Sequence, residues 1–264
     1  MTVSFTELMA SFAQDTDGTC SVTIPAEWMQ GRSTYGGLSA AICLKAVYGS
    51  LGDLPPLRSA QVSFIGPAGG PITVKTQELR RGKSVTYAGA DVVGEQGIAT
   101  RAVFAFGAPR DSAFDEEHIG APPSVPRPED CGPLFPGGFG PAFTQFFEPK
   151  LGLGGAPCTG SDAHEHFVWV RHKDREDADM LALIAHSAMA PPAIFPKFTE
   201  YSPGSSMNWH INILAAEPST EDGWWLIRSA IDTAQNGYSS QDMTIWNKAG
   251  FPVMSMKQCV AYFA

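Results

Sequence analysis

The sequence has no C-x-x-C pair, no long hydrophobic run and no excess of basic charge, and each absence argues against a class of protein. Its five cysteines, Cys20, Cys43, Cys131, Cys158 and Cys259, are odd in number and widely spaced. That points away from a disulfide framework or thiolate metal site and towards free thiols in a reducing compartment. No stretch approaches the ~20 apolar residues that cross a bilayer. Met1 to Asp15 carries Glu7 and Asp15 but no basic cluster, unlike a secretory signal, so a cytoplasmic location is expected. Lys and Arg total 18 against 27 Asp and Glu, a net charge of −9. Such a surface repels phosphate backbones, so nucleic acid is not an expected partner. An anionic ligand would need local basic groups or backbone amides.

Several catalytic signatures are also incomplete. Gly31–Arg32–Ser33–Thr34–Tyr35 lacks the second glycine of a nucleophile elbow. Gly82–Lys83–Ser84 resembles the end of a P-loop, but Gln77 stands where the earlier glycine belongs. Gly152-x-Gly154 has Pro157 in place of the third glycine of a dinucleotide fingerprint. His164-x-His166 has no nearby Cys or third His to complete a metal site. No metal or cofactor is therefore expected.

What is present is a globular composition, 44% hydrophobic and 17% charged, in a chain of 264 residues with two similar halves. In the first, a short β-rich piece at Ser21–Pro25 precedes the loop ending in Tyr35–Gly36–Gly37. The segment Leu38–Leu51 is apolar nearly all round, which marks a swallowed helix rather than a surface one. Strands follow at Arg58–Ile65, Ile72–Leu79, Ser84–Val93 and Ala99–Phe106. Gly107 to Gly160 is rich in Gly and Pro, with one strand expected near Phe143–Phe147. In the second half come a strand at His166–Val170, an apolar helix Asp177–Ala190 stopped by Pro191–Pro192, and strands at Ser206–Leu214, Trp224–Thr233, Ser239–Trp246 and Val253–Phe263. Gly82 opens a strand pair that turns at Gly97 and ends in Val103–Phe104–Ala105–Phe106. Gly237 opens one that turns at Gly250 and ends in Val260–Ala261–Tyr262–Phe263. One helix followed by an antiparallel meander, occurring twice, is an internal duplication. The expected class is α+β, with units at 1–110 and 141–264 and a connector at 111–140.

These residues resemble the acyl-CoA thioesterase II-like family. In the first half the resemblance rests on Tyr35–Gly36–Gly37, Val62–Ser63–Phe64–Ile65–Gly66–Pro67 and Arg80–Arg81–Gly82–Lys83–Ser84. In the second it rests on Phe167–Val168–Trp169–Val170–Arg171, Ser205–Ser206–Met207–Asn208, Trp224–Trp225–Leu226–Ile227 and Val253–Met254–Ser255–Met256–Lys257–Gln258. It implies a double hotdog, two antiparallel sheets each wrapped around a central apolar helix. It also implies hydrolysis of a fatty acyl-CoA thioester to free acid and CoA by an activated water, as part of lipid metabolism. The family activates that water with a helix Asp, a Thr or Ser on the next strand, and a Gln on the last. Gln258 and Ser206 match the last two, and Ala188 occupies the position of the Asp. The alternative is an acyl-CoA or acyl-carrier binding protein with little or no turnover. A hydratase on the same fold would need a helix Asp and His pair, which does not stand out.

The residues can also be read for chemistry directly. Gly36–Gly37 at a helix start could offer amides to a thioester oxygen, or could simply form a tight turn that seats the helix; Tyr35 would line the same substrate site. Gln258 alternates with Met254, Met256, Val260 and Tyr262. An unpaired buried amide costs about 1–3 kcal/mol, so it is either a site residue or a satisfied structural one. By simple alternation Ser206 shares a polar face with Asn208, His210 and Asn212, opposite Met207, Trp209, Ile211 and Ile213. Ser206, Asn208 and Gln258 are the candidate catalytic set. None is a base near neutral pH, and His186 and His210 are the nearest side chains that could accept a proton. Trp209, Trp224, Trp225 and Trp246 are read either as acyl-tunnel lining or as core. A double hotdog contains its own sheet pairing, while exposed edges leave a homo-oligomer open.

Overall fold

A helix without a polar face has to be surrounded, and the architecture follows from that need. The computed structural model describes residues 2–14, 19–174 and 179–263. Asp15 at the N-terminal end, and Asp177 and Ala178 at the expected helix start, lie outside them. Helix α1 (Phe5–Ala10) begins at Ser4, whose hydroxyl and Glu7 form a capping box. It is followed by β1 (Ala13–Gln14), β2 (Thr19–Ile24), β3 (Met29–Gln30), β4 (Ser33–Thr34) and α2 (Gly36–Leu51). The first half closes with β5 (Leu57–Phe64), β6 (Gly70–Arg81), β7 (Val85–Gly94) and β8 (Gly97–Gly107). The second contains β9 (Phe147–Leu153), β10 (Glu165–His172), α3 (Met180–Ser187), β11 (Gly204–Ile213), β12 (Trp225–Gln235), β13 (Tyr238–Asn247) and β14 (Pro252–Tyr262).

The two expected sheets are one. Twelve strands pair antiparallel in the order β1-β2-β6-β7-β8-β5-β11-β14-β13-β12-β10-β9. The halves join where β5 meets β11, with Val62 opposite Trp209 and Ala60 opposite Ile211. Left apart, these two strands would expose rows of unpaired amides and carbonyls; paired, they satisfy each other. Each carries a bulge in its pairing with the next strand inward. One lies between Leu57 and Ser59 against β8, the other between Ser206 and Asn208 against β14.

Helix α2 lies on β6, β7 and β8 and against α3. Leu38, Ile42, Leu44 and Val47 are fully buried, each contributing about 1.5–3 kcal/mol. The two helices touch closely at one point. A Cβ on Gly37 would lie 2.1 Å from the Ala185 carbonyl oxygen, and the Tyr35 hydroxyl donates to that same oxygen at 2.8 Å. The Tyr35 ring stacks on Phe143 at 3.9 Å.

Two local expectations are corrected. Phe143 lies in a 3-10 turn, Ala142–Phe146, entered from Pro141; the strand begins only at Phe147. Helix α3 stops at Ser187, before Ala190, where the chain tightens and the Met189 amide bonds back to the His186 carbonyl ahead of the two prolines. Of the tryptophans, Trp224 and Trp246 form a second buried cluster outside the sheet with Phe167, Trp169 and Leu226, while Trp209 and Trp225 are in the main core. The 111–140 segment runs over that outer cluster. Its Pro126 and Gly120 carbonyls accept from the indoles of Trp169 and Trp246 at 2.9 and 2.8 Å.

No described helix is long and apolar enough to cross a membrane. Cys43, Cys131, Cys158 and Cys259 are free thiols.

The helix contact makes a sharp prediction. Gly37→Ala forces a methyl onto backbone and should lower stability by at least the ~1–3 kcal/mol of an overpacked core. Gly36→Ala meets only the edge of the Phe64 ring, at 3.2 Å, and should cost clearly less. Urea midpoints of the two variants decide; equal midpoints would show that the helices do not depend on this approach.

Candidate functional site

The bulge in β11 decides which side chains share a face. Strict alternation sets Ser206 with Asn208 and His210. In the structure Met207 is the extra residue, so Ser206 pairs with Val260 and Trp209 with Gln258. Because directly paired residues point the same way, Ser206 moves onto the inner face with Trp209, Val260 and Gln258. Asn208 stays outside, exposed, accepting from the Cys259 amide at 3.3 Å. The expected Ser206–Asn208–Gln258 set is therefore split, and Asn208 is not in it.

On the inner face Gln258 finds a partner that alternation had passed over. Gln241, on β13, is directly opposite it. The Ala193 amide, in the loop that leaves α3, donates to Gln241 Oε1 at 2.7 Å. Gln241 Nε2 donates to Gln258 Oε1 at 2.6 Å, and Gln258 Nε2 to Ser206 Oγ at 3.0 Å. Gln241 is fully buried, Gln258 is 7% exposed, and Ser206 is half-buried. The chain of bonds thus runs from the interior outward and ends at a hydroxyl that solvent can reach. Gln241 shares its strand face with Met243 and Ile245, the same amide-among-apolar pattern that marks Gln258.

The N-terminus of α2 lies at the same end of the seam. Gly36 sits beside the Phe64 ring, and Phe64 is one residue past Ser63, the last β5 residue paired to β11, opposite Asn208. The amides of Gly36, Gly37 and Leu38 precede the first helical bond, which is made by Ser39. Gly37 and Tyr35 face α3, however. Burial holds the Tyr35 phenol well above its usual range, so it stays a donor to Ala185. Gly36 is half-buried.

Neither expected histidine reaches the array. His210 points outward with Asn208 and is exposed. His186 is buried against His172 and Trp225, and burial holds it well below the ordinary imidazole range. His166 is buried opposite Ser229 on β10, and burial lowers it to about 4, the nearby Pro191 carbonyl opposing. It lies three strands, about 14 Å along the sheet, from Gln258. His164 is exposed, so the two do not act as a pair. No group of three or more His, Cys, Asp or Glu that could hold a metal comes together among the described residues. Ala188, at the end of α3, brings no carboxylate. What the array can do is donate. Ser206 accepts from Gln258, which leaves its own proton free, and Gln258 has a second N–H.

The first half has the same bulge and the same pairing, but different contents. Leu57, Phe104 and Ala88 occupy the places of Ser206, Gln258 and Gln241, and all three are buried. Two surface cavities of about 470 Å³, one beside Thr23 and Glu95 and one between Arg58 and Arg110, do not border Ser206 or Gln258.

Residues 24–107 match the acyl-CoA thioesterase N-terminal domain, and residues 126–262 the acyl-CoA thioesterase C-terminal domain. No curated protein sequence matches the chain. Three solved structures share its architecture. A conserved hot dog fold protein of unknown function from Alicyclobacillus acidocaldarius is 20% identical over 98% of this chain and 97% of its own, with a TM-score of 0.86. The tesB protein of Mycobacterium avium subs paratuberculosis is 15% identical over 99% and 100%, at 0.77. The acyl-CoA thioesterase II TesB2 of Mycobacterium marinum is 16% identical over 97% and 97%, at 0.76. At these identities the likeness establishes the hot dog fold.

The buried histidines predict a pH dependence of stability. An unfolded histidine binds its proton near pH 6.5, whereas His166 does so only near 4 in the folded chain. Between those values the unfolded state holds more protons, so stability falls as pH drops through that window. Urea midpoints should decrease from pH 7 to pH 5, and His166→Leu should flatten the slope. A midpoint unchanged across the window would mean that the histidine is not held neutral.

Proposed function

The chain belongs to the acyl-CoA thioesterase family, and from that membership we propose that it hydrolyses an acyl-CoA thioester to free acid and CoA at the Ser206–Gln258 pair. In this reading it is a cytoplasmic double hotdog, each half curling its part of the sheet around its own helix, the halves divided within 111–140. The observation that carries the proposal is the hydrogen-bond chain from Ala193 through Gln241 and Gln258 to Ser206.

Water adds to the thioester carbonyl, negative charge develops on its oxygen, and the CoA thiolate leaves. The free Ser206 hydroxyl proton and the second Gln258 N–H are the donors that hold the attacking water or the carbonyl oxygen. The Gly36 amide adds a third donor across the seam. The proton lost by the water goes to solvent, because among the described residues no carboxylate or imidazole is bonded to the array. A positioned base is worth about 10²- to 10⁴-fold, and hydrolysis here proceeds without that factor.

Ala188 favours one other reading, a protein that binds acyl-CoA and turns it over negligibly. Thiol release from a panel of short, long and aromatic acyl-CoAs separates the two. We expect slow turnover that rises steadily with pH as hydroxide becomes the nucleophile, and at least tenfold loss in Gln258→Ala. Ala188→Asp should raise kcat by about 10²-fold and introduce a plateau above the new carboxylate's pKa. Binding without thiol release from any acyl-CoA, and no gain in Ala188→Asp, would leave the binding protein as the answer.

A further inference from the structure

A glutamine amide fits its density of neighbours in two orientations, and only its partners choose between them. The array at the seam has one partner that leaves no choice. A backbone N–H can only donate, so the Ala193 amide, 2.7 Å from Gln241 Oε1, fixes that oxygen as acceptor. Gln241 Nε2 must then face the other way, where it meets both Gln258 Oε1 at 2.6 Å and the Met243 sulfur at 3.2 Å. All the amide's hydrogens have partners, and the side chain is completely buried. The orientation passes on. Gln258 Oε1 is the acceptor, Gln258 Nε2 donates to Ser206 Oγ, and the Ser206 proton is left to point away from the array.

We infer that Gln241 is a positioning residue, one that holds Gln258 in the orientation that keeps the Ser206 hydroxyl a donor. The inference rests on the proposed thioesterase site and adds to it the group that sets its polarity. Were Gln258 reversed, two NH₂ groups would face each other at 2.6 Å, and Ser206 would turn its proton inward to Gln258 Oε1. The solvent-reachable end of the array would then present lone pairs where a developing oxyanion needs hydrogens. The unsatisfied buried donor that this reversal creates keeps the reversed form a minority. Gln241 touches no substrate in this arrangement. It acts through Gln258.

The test is Gln241→Glu, which changes one NH₂ to oxygen. Ionised, the carboxylate still accepts from Ala193 but cannot donate, so Gln258 must reverse to supply it. Protonated, it regains a donor. Relative to wild type at the same pH, kcat of Gln241→Glu should be down at least tenfold at high pH and climb back on acidification, with KM little changed. Gln241→Met, which keeps the volume and cannot donate at any pH, should lose kcat with no such climb. A second readout needs no turnover. In ¹⁵N-labelled protein the Gln258 side-chain amide, assigned by its disappearance in Gln258→Ala, should shift with pH in Gln241→Glu and stay fixed in wild type. If wild type releases no thiol from any acyl-CoA, the thioesterase reading fails and the amide resonance alone decides this one. Wild-type kcat in Gln241→Met, a pH-independent loss in Gln241→Glu, or a Gln258 resonance indifferent to pH in Gln241→Glu would each overturn it.

Discussion

The pairing of β5 with β11 is the constraint from which the rest of the molecule follows. Each strand would otherwise end its half as an open edge, and an open edge invites pairing with other chains. Joined, they make one sheet of twelve strands, bring α2 and α3 into contact, and set the N-terminus of α2 beside the bulge of the other half. The contact between the helices has almost no slack, because Gly37 lies directly on the Ala185 carbonyl and Tyr35 bonds to it. Register at the seam, helix spacing and site geometry are therefore a single structural commitment.

The site inherits its chemistry from that commitment. A bulge re-aims one side chain without disturbing the ladder on either side, and here it turns Ser206 inward to meet Gln258. The array beyond it is a directional device. It starts at a backbone donor, runs through two buried amides, and leaves donors at the reachable end. Such a device can stabilise negative charge but, among the described residues, is bonded to no carboxylate or imidazole. In the proposed reading, alanine at position 188 leaves a site suited to the oxyanion half of thioester hydrolysis, with the base half left to solvent.

Much of this was legible in the sequence, and what was not has physical reasons. The apolar run of α2, the proline stop after α3 and the glycine-punctuated strands gave the order of elements, because burial and backbone restriction are local signals. Ser4-x-x-Glu7 spelled the capping box of α1 but sat in a segment read only for its charge. The bulge at Met207 left no mark, since alternation assumes an unbroken ladder, and this is why Asn208 was grouped with Ser206. Gln241 could have been found by the reasoning that singled out Gln258. Setting Val103–Phe106 against Val260–Phe263 matched the ends of the two halves by composition. The bulges instead set Phe106 against Val260. Whether two edge strands meet is a fact about three dimensions, and it turned two expected sheets into one.

The matched bulges also show what became of the other copy. Where the second half carries serine and two glutamines, the first carries leucine, phenylalanine and alanine. Polar groups in that position must be kept exactly partnered or they destabilise the core, so a copy relieved of chemistry gains by drifting to hydrocarbon. In the proposed reading its remaining contribution comes from backbone rather than side chains: one helix end, with the Gly36 amide, held at the seam. Duplication here has separated two demands that a single small domain must meet at once: one half keeps a hydrocarbon interior at this position, and the other carries the polar side chains.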